Sequence, residues 1–292
     1  IHPEHRVPAR LEECEELARE AGEEDPWVLA AQFAARMLPG VFPQEDPLLQ
    51  VTFAVNDRIR MEEVLDGLPD EVFLSDDGLG WAYQFWQARR KAEVNAAGNR
   101  IGGEDLPAVT QLFTEHYMVE FLLHNSLGAW WVARHPGEMP PDDLEYLRRL
   151  DDGTPAAGGF PGWPATAKEL RILDPCCGSG HFLVAAFALM VRLRMQEEGL
   201  DEGEAGDAVL RDNLFGLEID PRCTQIAAFA LALAAWKRGG YRELPPMNIA
   251  CSGLPLGGDE AEWVKLANGD RNLAGAMRVL YRVFRSAPDL GS

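Results

Sequence analysis

Two rhythms of apolar and polar residues divide this chain, and the change falls near residue 165. From Leu11 to about Ala97 the apolar positions recur three and four residues apart, which is the spacing of an amphipathic helix. The stretch EELAREAGEEDPWVLAAQFAARMLPG predicts two helices interrupted at Gly22 and Asp25-Pro26, the second stopping before Pro39-Gly40. DPLLQVTFAVNDRIRMEEVLDG and GLGWAYQFWQARRKAEVNAAG predict two more. In the latter, Trp81, Tyr83, Phe85 and Trp86 could stack bases, but four aromatics on one helix are first expected to be core packing. A further helix is predicted over DLPAVTQLFTEHYMVEFLLHNSLGAWW, with Thr114 as its N-cap and Tyr117, Met118, Phe121, Leu122 and the group at 127–131 on one face. DDGTPAAGGFPGWP, from Asp151 to Pro164, is the best linker candidate.

Beyond the linker, short apolar runs alternate with longer helical ones. Strands are expected at Arg171–Asp174, Leu214–Ile219 and Asn248–Cys251, with helices at His181–Glu197, Cys223–Arg238 and Trp263–Phe284. Strand and helix in alternation mean a parallel sheet with helices on its faces. The expected fold class is therefore α/β: a helical N-terminal region over 1–110, then a parallel sheet with helices on its faces, its α/β part starting at 165.

Composition changes the picture by exclusion. An apolar fraction of 47% in 292 residues is ample for a core. No apolar run approaches the roughly 20 residues of a membrane span, and no charged-then-apolar leader opens the sequence, so a soluble piece of something longer is expected. The five cysteines lack paired C-x-x-C spacing and do not make an even disulfide set; reduced thiols in a cytoplasmic protein are the plain reading. The six histidines show no metal-ligand spacing, so no metal is expected. A formal charge of −20 has the wrong sign for tracking a nucleic-acid backbone. The acidic runs Glu12–Glu24 and Asp201–Asp207 are expected to be solvated faces.

The candidate chemistry lies at two strand ends. LDPCCGSGHF places Gly178 and Gly180 where an open parallel sheet gathers ligands, and residues without Cβ let backbone approach a ligand closely. Position 183 is Leu, so the third glycine or alanine of a dinucleotide fingerprint is missing, and no Gly-Lys-Ser/Thr follows to make a phosphate loop. Asp174 would repel phosphate but can accept hydrogen bonds from an ammonium group. The next strand ends LFGLEIDP, which sets Glu218 at the matching point to take two bonds from ribose hydroxyls, with Ile219 against adenine. Asp220 and Pro221 then start the following helix. An amino-acid end beside one acid and a nucleoside end beside the other describe S-adenosyl-L-methionine. Cys176 and Cys177 read as small fillers, since nothing basic nearby would lower their pKa, and His181 as a residue orienting or covering the cofactor.

These two motifs resemble the first two cofactor motifs of class I methyltransferases, specifically the adenine-N6 DNA methyltransferases. Together with GWAYQFWQARRKAEVN and IGGEDLPAVTQLFTEHYMVEFLL, they are similar to the large PglX-type methyltransferases of bacterial anti-phage systems and related restriction methylases, from about Gly80 to Leu256. The resemblance implies that residues 111–292 hold the first half of a Rossmann-like methyltransferase sheet, and that Phe113 and Thr114 close over the methionine end of the cofactor. It implies that Asp174, Cys176, Gly178 and Gly180 line that side, that Glu218 holds ribose and Ile219 adenine, and that Cys251 or Ser252 on the third strand meets the adenine amino group. The family's catalytic Asn/Asp-Pro-Pro-Tyr/Phe motif does not occur; LPPM at Leu244–Met247 and MPPD at Met139–Asp142 lack both flanking residues. The implied activity is therefore adenine-N6 methylation of DNA by a parent protein, with this piece binding cofactor and inactive alone. Double-stranded DNA would be bound through a missing C-terminal region, other phage-defence proteins are possible partners, and an unpaired sheet edge beside the glycine strand would favour self-association. The rival readings are a methyltransferase acting on protein or RNA, a non-catalytic interaction module with a vestigial cofactor fold, and, opposed by Leu183, an NAD-dependent oxidoreductase.

Overall fold

The computed structural model describes residues 11–22, 25–43, 46–47, 51–69, 71–72, 78–98, 101, 105–110, 114–252 and 256–286. The helical region comprises α1 (Leu11–Ala21), α2 (Pro26–Met37), α3 (Val55–Asp66), α4 (Gly78–Ala97) and the short α5 (Leu106–Thr110). Asp25 caps α2 by accepting from the Trp27 N–H, and Pro26 fills the first turn, where a missing N–H costs nothing. α1 meets α2 through a small cluster of Ala18, Leu29 and Phe33.

An upstream helix follows as α6 (His116–Leu123), a π-helical turn (His124–Gly128) and α7 (Ala129–Arg134). The widened turn sits where the segment near 146 docks: Asn125 donates to the Tyr146 carbonyl at 2.8 Å and accepts from the Arg148 N–H at 2.8 Å. Gly128 lies against Leu144, where a Cβ would come within 2.9 Å. Thr114 is not the N-cap. Glu115 holds that position and makes no side-chain capping bond, so the helix starts one residue later than its sequence suggests.

β1 (Ile172–Asp174), α8 (His181–Glu198), α9 (Glu202–Asp212), β2 (Leu214–Glu218), α10 (Pro221–Gly239), β3 (Asn248–Cys251), α11 (Glu260–Lys265) and α12 (Arg271–Phe284) complete the chain. The strands pair in parallel in the order β1-β2-β3, with Asp174 opposite Gly216 and Glu218 opposite Cys251. Parallel strands need long crossovers, and α8–α9 and α10 supply them. Val119, Leu127, Trp130 and Trp131 of the upstream helix share one core with Leu183, Phe187 and Met190 of α8, so that helix belongs to the α/β half. β1 is an edge of the sheet among the described residues, as expected.

Several expectations need correction. Of the α4 aromatics only Tyr83 is buried; Phe85 is 85% and Trp86 65% exposed, and Trp81 is exposed too. α4 docks by the narrow stripe Gly80, Tyr83, Gln87, and the other rings project off it. Of the helix expected over 46–67, Val55–Asp66 forms α3, none of whose residues is buried; 51–54 are not helical, and 48–50 lie outside the described residues. Trp263–Phe284 is two helices, broken at Asn268 and Gly269, whose positive φ values end α11 and lead to a fresh cap at Asp270. The acidic run at 201–207 is an unforeseen helix rather than a solvated face. Asp201 and Glu204 make a capping box, Ala205 and Gly206 are buried, and Glu202 and Asp207 pair with Arg238 and Arg242. The 151–164 segment is irregular but strapped down, its Trp163 and Pro164 carbonyls accepting from Arg134 and Trp130. No helix among the described residues is long and apolar enough to cross a membrane.

Candidate cofactor site

The site is built at the carboxyl ends of β1, β2 and β3. After Asp174 the chain turns sharply, and the Cys176 N–H bonds back to Asp174 Oδ1 at 3.1 Å. The Cys177 N–H donates to the Leu217 carbonyl of β2 at 2.9 Å, and the Gly180 N–H to the Cys177 carbonyl at 2.8 Å, so the turn is pinned to the neighbouring strand. Gly178 (φ 54°) and Gly180 (φ 87°) both adopt left-handed conformations that L side chains avoid. They differ in surroundings. A Cβ on Gly180 would stand 2.9 Å from both Cα and Cβ of Ala227 on α10, whereas one on Gly178 would meet open space. Gly180 thus serves helix packing, and Gly178 faces the crevice.

Glu218, only 8% exposed, is the focus of the site. Its Oε2 accepts from the Gly178 N–H at 2.8 Å, and its Oε1 from the N–H groups of Ile219 and Asp220 at 2.9 and 3.0 Å. One carboxylate therefore ties the glycine turn to the β2–α10 loop. A carboxylate offers about four acceptor positions, so three are engaged and one remains. The loop is closed on its third side by β3: the Ser252 N–H donates to the Glu218 carbonyl at 2.8 Å, and Cys251 Sγ lies 3.5 Å from the Ile219 carbonyl.

Asp174 is half-buried, and burial raises its pKa against the opposing effect of the Cys176 N–H. Among the described residues no basic side chain pairs with it. Cys176 is exposed, while the buried Cys177 thiol is pushed up to about 12, chiefly by burial, and so carries no thiolate at neutral pH. At the mouth, the His181 ring meets the His116 ring edge-on at 5.9 Å, which brings the start of α6 over the glycine turn with Thr114 two residues away. Phe113 lies outside the described residues. Beside the free edge of β1, a groove of about 710 Å³ runs between Leu122, Leu127, Trp163, Leu173 and Phe182.

Sequence reasoning saw Asp220 only as a helix cap, and that it is, accepting from the Arg222 N–H. It missed that Asp220 is 1% exposed and receives the Tyr83 hydroxyl from α4. The signal was the Tyr83/Gln87 pair one helical turn apart, which the surrounding aromatics masked.

Among known families, the one described as MmeI, DNA-methyltransferase domain, matches residues 165–271, the stretch that builds this site. Among curated proteins, the chain is 33% identical over 176 residues, 59% of its length, to the adenine-specific methyltransferase BrxX of Escherichia coli O9:H4 (strain HS). It is 29% identical over 213 residues, 67% of its length, to the adenine-specific methyltransferase PglX of Lacticaseibacillus casei (strain Zhang). Over 78 residues, 26% of its length, it is 41% identical to the PglX of Streptomyces coelicolor. These matches span only 14%, 17% and 6% of the respective relatives.

Proposed function

From a chain homologous to the BrxX and PglX adenine-specific methyltransferases, we infer a cofactor-binding portion of a DNA adenine-N6 methyltransferase of phage defence, using S-adenosyl-L-methionine. The observation that carries this reading is the Glu218 carboxylate, held by three backbone N–H groups at the mouth of a crevice floored by Gly178. The residues fit the cofactor. Open space at Gly178 leaves room for a ligand against bare backbone, and the half-buried Asp174 carboxylate lacks a basic partner among the described residues.

In this reading Asp174 accepts from the ammonium of the methionine end, with Cys176, Gly178 and Gly180 lining that side. Phe113 and Thr114 close over it. Glu218 accepts a ribose hydroxyl on its remaining acceptor position, and a second hydroxyl requires the Gly178 N–H to turn from the carboxylate to the ligand. Ile219 supports the adenine face, and Cys251 or Ser252 meets its edge. When bound, the sulfonium supplies an electrophilic methyl group, and the protein's contribution is alignment of that group with the acceptor. An enzyme acting on a base within duplex DNA must extrude it first.

The 292 residues contain no Asn/Asp-Pro-Pro-aromatic tetrapeptide, and their net charge is −20. Both favour a chain that binds cofactor without transferring methyl groups, and whose parent grips double-stranded DNA through other segments. The free edge of β1 and the apolar groove beside it suit a further strand of the parent, or a second copy of the chain. The five cysteines form no disulfide among the described residues, which suits the cytoplasm.

Calorimetry with S-adenosylmethionine tests the reading. The wild type should bind, and Glu218→Ala should lose at least about tenfold in affinity, since one truncation removes the ribose acceptor and strands three N–H donors. Absence of binding by the wild type overturns it. In a tritiated-methyl assay on duplex DNA, incorporation by the chain alone would refute the inactivity.

A further inference from the structure

The buried carboxylate of Asp220 is filled from two directions. Its Oδ1 accepts from the Arg222 N–H at 3.0 Å and from Arg222 Nε at 3.1 Å, and its Oδ2 accepts from Arg222 Nη2 at 3.1 Å. The remaining position on Oδ2 is taken by the Tyr83 hydroxyl of α4, 137 residues away in sequence. Tyr83 is itself oriented: Gln87 Nε2 donates to its oxygen at 2.7 Å, so its own proton points at Asp220. The Arg222 guanidinium lies over the Tyr83 and Trp86 rings at 5.4 and 5.5 Å, which closes the cluster against the helical region. With four donors on about four acceptor positions, Asp220 has none to spare, and at 1% exposure its carboxylate is held by protein groups.

The same residue touches the cofactor crevice through its backbone, because the Asp220 N–H is one of the two donors on Glu218 Oε1. A path of direct hydrogen bonds therefore runs from Gln87 and Tyr83 on α4, through Asp220, to the Glu218 carboxylate and on to the Gly178 N–H. We propose that Tyr83 is a positioning residue for the cofactor site: its hydroxyl fixes the 218–220 loop, so that docking of the N-terminal helical region sets the affinity for S-adenosylmethionine. The proposal rests on the reading of Glu218 as the ribose-binding carboxylate. It gives the helical region a role in cofactor binding although Tyr83 and Gln87 need not touch the ligand. Burial and the Asp220 carboxylate hold the Tyr83 phenol protonated far above its ordinary range, so the donor persists at any physiological pH.

The test is a double-mutant cycle on the 292-residue chain, with S-adenosylmethionine affinity read by calorimetry and amide exchange of the 215–225 segment by mass spectrometry. Tyr83→Phe should weaken binding about tenfold and speed exchange at 218–220, while exchange in α8 stays unchanged. In an Asp220→Ala background the same change should have no further effect, because no side-chain acceptor remains for the hydroxyl. Gln87→Ala, which leaves the hydroxyl free to turn, should weaken binding by a smaller factor, and it carries the test if circular dichroism shows Tyr83→Phe to be unfolded. Unchanged affinity in the folded variant overturns the proposal, as does an equal loss in the Asp220→Ala background. Failure of the wild type to bind at all overturns the cofactor reading itself, and this role with it; binding by the wild type with no effect of the variants overturns this role alone.

Discussion

The two ends of the three-stranded sheet bury similar polar groups and use them differently. At the amino end, Arg194, 2% exposed, bonds Glu198 at 2.5 and 3.0 Å, Asp212 at 3.2 Å and Asn213 at 3.3 Å. Asn213 donates in turn to the Ala167 and Leu170 carbonyls at 2.9 and 2.8 Å. Charged side chains meet one another there and Asn213 ties them to backbone, and the cluster faces the packed core. At the carboxyl end, Glu218 is satisfied by backbone N–H groups and Asp174 lacks a basic partner among the described residues, both beside a glycine with open space before it. The first arrangement holds the crossover α8 to the start of β2. In the proposed reading, the second keeps acceptor capacity for the cofactor.

That contrast can be broken most severely at the anchoring end. Arg194→Ala leaves two carboxylates and an amide without their shared donor and should cost about 3 kcal/mol, the low end for a broken buried pair because Glu198 and Asp212 are each about a quarter exposed. Denaturant titration reads the loss, and cofactor affinity per folded molecule should not change. A drop in affinity would mean that the two ends are coupled.

Gly180→Ala comes next, at about 2 kcal/mol, from the left-handed backbone and the 2.9 Å approach to Ala227. Gly178→Ala should cost the fold only about 1 kcal/mol, the backbone part alone, yet weaken cofactor binding more than its stability loss suggests. Thermal melts with and without S-adenosylmethionine separate the two glycines; equal ligand-induced shifts in both variants would contradict the assignment of Gly178 to the crevice.

The smallest effect has the opposite sign. Asp174→Asn should raise stability by about 0.5 kcal/mol at neutral pH while weakening cofactor binding. Burial raises the Asp174 pKa, so the folded state holds its proton more tightly than the unfolded chain. Its contribution favours the fold at low pH and is lost as pH rises through the folded value. Glu198 and Asp212 behave inversely. Glu198 is lowered by its Arg194 hydrogen bond, and Asp212 is lowered because bonds from Arg211 and Arg194 outweigh its burial. They stabilise above their unfolded values and lose that effect as pH falls through the lowered ones. Stability curves against pH should therefore show the Asp174→Asn advantage shrinking toward acid and the Arg194→Ala deficit shrinking there as well. An Asp174→Asn advantage that grows on acidification would refute the sign.

Much of this was legible in the residues. The strand ends at Asp174 and Cys251 fall where the apolar runs predict them, and β2 ends at Glu218, one residue before the expected Ile219, because short β-rich runs punctuated by glycine or an Asp-Pro cap leave the chain few alternatives. The glycine turn and the Asp220-Pro221 helix start were equally plain. The α4 aromatics were misread because periodicity names a helix without naming its neighbour, and only Tyr83 lies on the stripe that docks. The acidic helix α9 was hidden by its charge, since Glu202 and Asp207 look solvated until Arg238 and Arg242 are found beside them.

Local chemistry along the polypeptide thus decided which residues form the turn, the caps and the parallel strands, since each depends on backbone preferences within a few positions. Tertiary structure alone decided how Glu218 is used and that Tyr83 reaches Asp220. Hydrogen bonds spanning 40 and 137 residues arise from packing of whole helices and strands, and no spacing within the sequence encodes their partners.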